Sequence, residues 1–187
     1  MCYTWIANYF MKKYAIIIAV LFLFLFPISP KAFAEKSKPL EYVLPYPGLL
    51  PDNPLYILTT TRDRIISFLV SEPLKKAEFN LLQSEKRLGG GMYLIKKRLK
   101  KEKLAHETIS KGENYFEEAI ANVLQAKKEG RDVKGIIERL TLSSQKQKAV
   151  IKELEQQVSS SYKKDFEFLY QRAVKLGEKV TSAAPSN

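Results

Sequence analysis

Ala105, Gly112, Ala119 and Ala126 stand seven residues apart inside a stretch, Lys101 to Lys128, that holds no proline and keeps small or apolar residues at alternating steps of three and four. Such steps place side chains on one face of a helix. A small residue at every second turn of that face lets a neighbouring helix approach closely, so this stretch asks for a partner helix laid along it. The same alternation recurs at Leu74, Ala77, Leu81, Ser84, Leu88, Gly91 and Ile95. It recurs again at Ile137, Leu140, Ser144, Gln147, Ile151, Leu154 and Val158, and at Tyr162, Phe166, Leu169, Ala173, Leu176 and Val180. No segment sustains the period-two alternation of a half-buried strand. The fold class that follows is all-α: an antiparallel up-down bundle of about four long helices plus one shorter helix, preceded by a Pro-rich extended segment. These stripes also suit a homotypic coiled coil, but the breaks at 129–132 and 159–161 favour a chain folded back on itself.

The punctuation between stripes is chemically explicit. Asn53 followed by Pro54 suits the N-cap and first position of the shorter helix, which carries Leu55, Leu58, Ile65 and Leu69 and ends near Val70. Ser71 is the expected cap of the next helix. Gly130 provides the stop after Lys128, and Asp132 the cap that follows it. Gly89, Gly90 and Gly91 interrupt the second helix at roughly 1 kcal/mol each relative to Ala, but the phase of its stripe continues past them, which predicts a weakened, continuous helix. Ser144 and Gln147 make the middle of the fourth stripe polar, predicting a solvated part of the seam or a point of contact. Arg62 falls on the stripe of the first helix and is expected to snorkel or to pair with an acid. Arg62, Asp63 and Arg64, with Tyr46 and Tyr56, are expected to fix the Pro-rich segment to that helix. Pro39, Pro45, Pro47, Pro51 and Pro54 forbid a helix or a central strand over 39–54, and Pro47-Gly48 suits a type II turn. Tyr42, Val43, Leu44, Tyr46, Leu49 and Leu50 predict that this segment packs on the domain.

Ahead of it, Lys12 and Lys13 precede an apolar run from Tyr14 to Phe26, then Pro27, Pro30 and Ala32-Phe33-Ala34. A positive start, an apolar core of this length and a small-x-small end make a secretory signal segment over 1–34, with cleavage expected between Ala34 and Glu35. Residues 1–10 read as an upstream extension, with Met11 the better start. The competing reading is an anchor over residues 14–28, but 13 apolar residues from Tyr14 to Phe26 fall short of the roughly 20 that span a bilayer. The expected organisation is a signal segment, a polar tail and Pro-rich segment over 35–54, a bundle over 55–181, and a polar tail over 182–187. The expected location is extracytoplasmic: periplasm, cell wall or medium. The sole cysteine, Cys2, lies upstream of the cleavage point, so the exported chain has no disulfide or thiol chemistry. Without Lys12, Lys13 and Lys31, 28 basic residues face 20 acids, a balance of +8 that favours anionic surfaces.

The stretch from Tyr42 to Tyr56 (YVLPYPGLLPDNPLY), continued by Thr61-Arg-Asp-Arg-Ile65, resembles the opening motif of a bacterial family known as a domain of unknown function, DUF5667. Thr108 to Phe116 (TISKGENYF) is similar to it too, and the likeness extends loosely over residues 41–180. The resemblance implies an exported helical protein. It implies no catalytic or binding residues. Gly89 to Gly91 depart from it, standing where alanine-rich helix is expected.

Chemistry-bearing residues are sparse. His106 is the only histidine, and no cysteine or second histidine stands at metal-ligand spacing, so it reads as a surface or seam residue. Glu113, Glu117 and Glu118 lack the Glu-x-x-His companions of a dinuclear carboxylate site and read as a solvated face. No catalytic set, cofactor motif or metal site is expected, which makes a non-enzymatic role the leading one. The sharpest charge feature is the basic run Lys96, Lys97, Arg98, Lys100, Lys101 and Lys103. It is the candidate anion-binding site, weighed against a solvated connection between helices. The expected partners are another protein or an anionic envelope surface, whether polymer or lipid headgroups. Nucleic acid ranks last, because the chain is exported and the run has no interleaved aromatics. Membrane attachment is expected if the signal segment is retained.

Overall fold

The computed structural model describes residues 42–96 and 101–184. The signal segment expected at 1–34 therefore lies outside the described residues. Five helices follow in order: α1 (Tyr56–Leu69), α2 (Pro73–Lys96), α3 (Glu102–Lys128), α4 (Lys134–Gln157) and α5 (Lys163–Ala183). The last four are the long helices of an up-down bundle, and α1 is the shorter one.

The seven-residue spacing on α3 is matched on α2. Gly91 lies against Ala105, so close that a Cβ built on it would stand 3.3 Å from the Ala105 carbonyl oxygen. Two turns along, a Cβ on Gly112 would stand 3.1 Å from the carbonyl oxygen of Ser84. Antiparallel continuation of this register sets Ala77 opposite Ala119, and both are fully buried. Small residues thus face small residues at 77, 84 and 91 and at 119, 112 and 105, and the two backbones come together. Gln147 on α4 donates to Ser84 on α2 (3.3 Å), and Arg172 on α5 donates to Asn114 on α3 (2.7 Å). The helices α2 and α4 run parallel, as do α3 and α5, which closes the square in the order α2, α3, α5, α4.

Helix ends follow local chemistry, with small shifts from the sequence expectation. α1 begins at Tyr56, two residues beyond Pro54, although Asn53 still takes an orphan amide: its side-chain oxygen accepts from the Leu55 N–H (2.9 Å). α2 begins at Pro73, so Ser71 is not its cap; proline supplies the first turn with its preset φ. Gly130, at φ +75°, lets Arg131 N–H reach Ala126 O (3.0 Å) and Gly130 N–H reach Lys127 O (3.1 Å), a Schellman closure of α3. The Asp132 carboxylate accepts from the Lys134 N–H at the start of α4 (3.0 Å). At the far turn, Glu102 accepts from both the N–H and the hydroxyl of Ser159, tying the start of α3 to the connection between α4 and α5. α5 runs on to Ala183, two residues past Thr181.

The helix α2 is continuous through its three glycines. Gly91 admits α3, while Gly89 and Gly90 receive the Pro-rich segment: Pro45, Pro47 and Leu50 lie over them. Leu50 is buried, Leu44 joins the core, the Tyr42 hydroxyl donates to buried Glu85, and Asp52 pairs with Lys101 (3.0 Å). Gly48 takes φ +75°, the conformation a type II turn requires after Pro47. Val43, Tyr46 and Leu49 stay exposed.

The buried apolar residues form two clusters. One gathers Leu88, Leu94, Ile109, Ile151, Leu154, Phe166 and Leu169; the other gathers Leu81, Phe116, Val123, Leu140, Leu176 and Val180. Between them in register lies a buried polar layer of Ser84, Glu113, Ser143, Ser144 and Gln147. The polar middle of the fourth stripe is therefore not solvated; it meets Ser84 inside the bundle.

Candidate functional site

In the basic run, Lys96 pairs with Glu153 (2.6 Å) and Lys101 with Asp52 (3.0 Å), while Lys103 is exposed at the start of α3. Lys97, Arg98 and Lys100 lie outside the described residues. His106 sits half-buried at the α3–α5 seam, edge-on to Phe166 at 6.1 Å. Among the described residues no group of three or more His, Cys, Asp or Glu side chains is placed to hold a metal ion.

The three glutamates part company. Glu117 is drawn below the usual carboxylate range by the hydrogen bond from Lys179 (2.5 Å), with help from Arg172 (3.2 Å). Glu118 accepts from Asn80 (3.3 Å). Glu113 is not on a solvated face: it is 1% exposed, and neither carboxylate oxygen has a hydrogen-bond partner. Burial pushes its carboxyl up to about 8; Arg172, at 3.8 Å, pulls the other way, and Glu117 adds to the rise. A signal for this was present in the sequence, since Glu113 stands four residues after Ile109 and three before Phe116, both core residues.

The helix α1 is inside out. Its one buried residue is Asp63, bonded to Arg62 (2.7 Å), whereas Phe68 is 86% exposed, Leu69 69%, Ile57 67%, Leu58 64% and Ile65 55%. The apolar stripe at Leu55, Leu58, Ile65 and Leu69 was expected to face a core; it faces outward. The reason is competition. The stripes of α2 to α5 bury one another, and the flank they leave for α1 carries Gln83, Lys86, Arg87, Lys111 and Tyr115. α1 therefore turns its polar side, Tyr56, Thr59, Thr60, Asp63 and Ser67, toward that flank. Tyr56 meets Arg87 on α2 and, with Tyr46, Arg62 and Asp63, lines the cavity between α1 and the Pro-rich segment, while Tyr46 is itself largely exposed. Arg62 does find its acid, the adjacent Asp63.

Where α1 crosses the flank of α2 and α3 there is a groove of about 630 Å³, lined by Thr60, Arg64, Ser67, Phe68, Lys76, Arg87, Lys111, Asn114, Tyr115 and Glu118. Arg87, only 8% exposed, is shared with a second cavity of about 310 Å³ under the Pro-rich segment. Its guanidinium donates to the hydroxyls of Tyr56 and, at 3.4 Å, Tyr115, and lies 4.8 Å from the centre of the Tyr115 ring; its Nε–H has no partner. Burial works against the charge, but the two phenols outweigh it and its pKa is raised. No carboxylate lies within ion-pair distance of it among the described residues. Burying a cation without a counter-ion costs several kcal/mol, so this arginine is a costly feature. Nothing local marked it in the sequence, because its partners stand 31 and 28 positions away.

A family model described as a domain of unknown function, DUF5667, matches residues 48–161, from the Gly48 turn through α1, α2, α3 and α4. No curated protein and no solved structure matches the chain. With more than half of its length inside that span, the chain belongs to the DUF5667 family.

Proposed function

We propose that this chain is an exported, non-enzymatic helical module that works by docking on an anionic lipid surface of the cell envelope, with α1 as the docking element. The observation that carries this reading is the outward apolar face of α1. A helix with Ile57, Leu58, Ile65, Phe68 and Leu69 exposed lies naturally at the boundary between headgroups and acyl chains. Charge selects the surface. The only acid of α1, Asp63, is buried against Arg62; Arg64 is exposed on the helix itself, and Lys76 and Lys111 lie along its edge, in the groove that Phe68 also lines. An apolar face flanked by cations, with no exposed acid on the helix, suits anionic lipid better than a neutral protein surface. Among the described residues no helix is long and apolar enough to cross a membrane; the contact proposed for α1 is lateral.

The test is flotation of the exported product, its N terminus read by intact mass, with vesicles of phosphatidylglycerol and phosphatidylcholine. The expected result is binding to the anionic vesicles that falls at least about tenfold in an Ile57→Ser/Phe68→Ser variant, about 1.4 kcal/mol or more. Vesicle binding that ignores these substitutions, or that occurs only while residues 1–34 remain attached, overturns the reading. Loss of binding on changing Lys96, Lys101 and Lys103 to Gln, with the α1 variant unaffected, would transfer the contact to the basic run. A stable dimer lost in the α1 variant would make the face a self-association surface.

A further inference from the structure

We propose that the groove between α1 and the α2–α3 pair is a binding site for a phosphate group, with Arg87 fixed in its wall and Arg64, Lys76 and Lys111 closing on the anion. Four cations converge there against one acid, Glu118, whose side chain is already engaged by Asn80. None of the four cations has a carboxylate partner among the described residues.

The decisive residue is Arg87. It is 8% exposed, its Nε–H is unpartnered, and a neutral amide would serve to join the two phenols without burying a charge. A guanidinium is the group to keep there if a tetrahedral or planar anion is to be met by a rigid fork of donors. Arg64 and Lys111 are exposed and Lys76 half-buried, so their long side chains are free to close over a ligand. The excess of cations suits an anion with more than one negative charge, as in a phosphate monoester, better than a single carboxylate. The walls offered by Tyr115 and Phe68, with Ser67 and Asn114 as polar contacts, leave room for an organic part in a groove of about 630 Å³, within the size range of small-molecule sites. A phosphate group is presented both by free monoesters, with up to two negative charges, and by the phosphodiester of a phosphatidylglycerol headgroup, with one. The site does not depend on the docking of α1 on lipid.

Isothermal titration calorimetry of the exported product with glycerol 1-phosphate, and separately with soluble short-chain phosphatidylglycerol, tests the proposal. Lys76→Gln and Lys111→Gln stand away from the core, and their folding is checked by circular dichroism. Each is expected to weaken binding about tenfold, and the pair about a hundredfold, with Arg87→Lys also weakened although the charge is kept. Binding of glycerol 1-phosphate places the source among free phosphate esters; binding of the short-chain lipid alone places it in the headgroup. If the folded protein binds neither probe, or if the Lys76→Gln/Lys111→Gln protein binds as tightly as the parent, the proposal is wrong. Ile57→Ser/Leu69→Ser, two exposed positions of α1 that do not line the groove, tested with both vesicles and glycerol 1-phosphate, separates the readings. Loss of vesicle binding with phosphate binding intact leaves both standing. Vesicle binding that persists sinks only the docking of α1.

Discussion

At the scale of residues, Gly89, Gly90 and Gly91 are not equivalent. A Cβ on Gly89 would meet its nearest neighbours at 3.7–4.0 Å, ordinary contact, whereas on Gly91 it would overlap the fully buried side chain of Ile109. Gly89→Ala should therefore raise stability by roughly 0.5–1 kcal/mol through helix propensity, and Gly91→Ala should lower it by about 1–3 kcal/mol through overpacking. Urea midpoints of the two variants check this; equal shifts of the same sign would contradict the packing. Glu113 sets the second expectation. Its carboxyl is raised by burial from the ordinary 4.5 to about 8. Between those values the folded chain holds a proton that the unfolded chain releases, so stability falls as pH rises through the window. Glu113→Gln should flatten that fall, and should melt a few degrees above the parent at about pH 8.5 but not at about pH 4. An unchanged slope between the two would mean that the carboxylate reaches solvent.

At the scale of elements, α1 differs from the other four in what holds it. The helices α2 and α3 are joined by a close small-residue seam, and α4 and α5 each lay a full apolar stripe into the core. α1 contributes no apolar residue to either cluster and is held through Tyr56, Asp63 and its polar side. Hydrogen exchange should show this as a hierarchy, with α1 amides exchanging at least about 100-fold faster than those of the α2–α3 seam. Comparable protection would mean that its polar contacts are worth as much as a core stripe.

At the scale of the molecule, the +8 balance expected for the exported chain draws on 28 basic residues, six of them in the run at 96–103, of which Lys96 and Lys101 are held in ion pairs. Attraction to an anionic surface should then be screened as a whole. Raising ionic strength from about 0.05 M to about 0.5 M shortens the Debye length to a few ångströms and should cut vesicle binding by roughly tenfold. Binding indifferent to salt would leave the apolar face of α1 as the sole contact. The polar layer through the middle of the bundle is also a whole-molecule feature, made only when Ser84, Glu113 and Gln147 arrive from three helices.

The helices, their stops and the small-residue face were legible in the sequence because each rests on local rules: a period of 3.6, a capping side chain, a glycine at positive φ. The continuous α2 was legible for the same reason, since the phase of a stripe is a one-dimensional property. Which apolar stripes would be buried was not. The stripe of α1 and that of α5 look alike along the chain, but four helices saturate one another's faces and leave the fifth a polar flank to lie on. The burial of Glu113 was half-visible in its spacing from Ile109 and Phe116, though its raised pKa depends on what α5 brings beside it. The charged groove was invisible, because Arg64, Lys76, Arg87 and Lys111 come from three helices and carry no pattern in common. Local periodicity determines what forms; only competition for buried surface in three dimensions decides which side of each element is left for function.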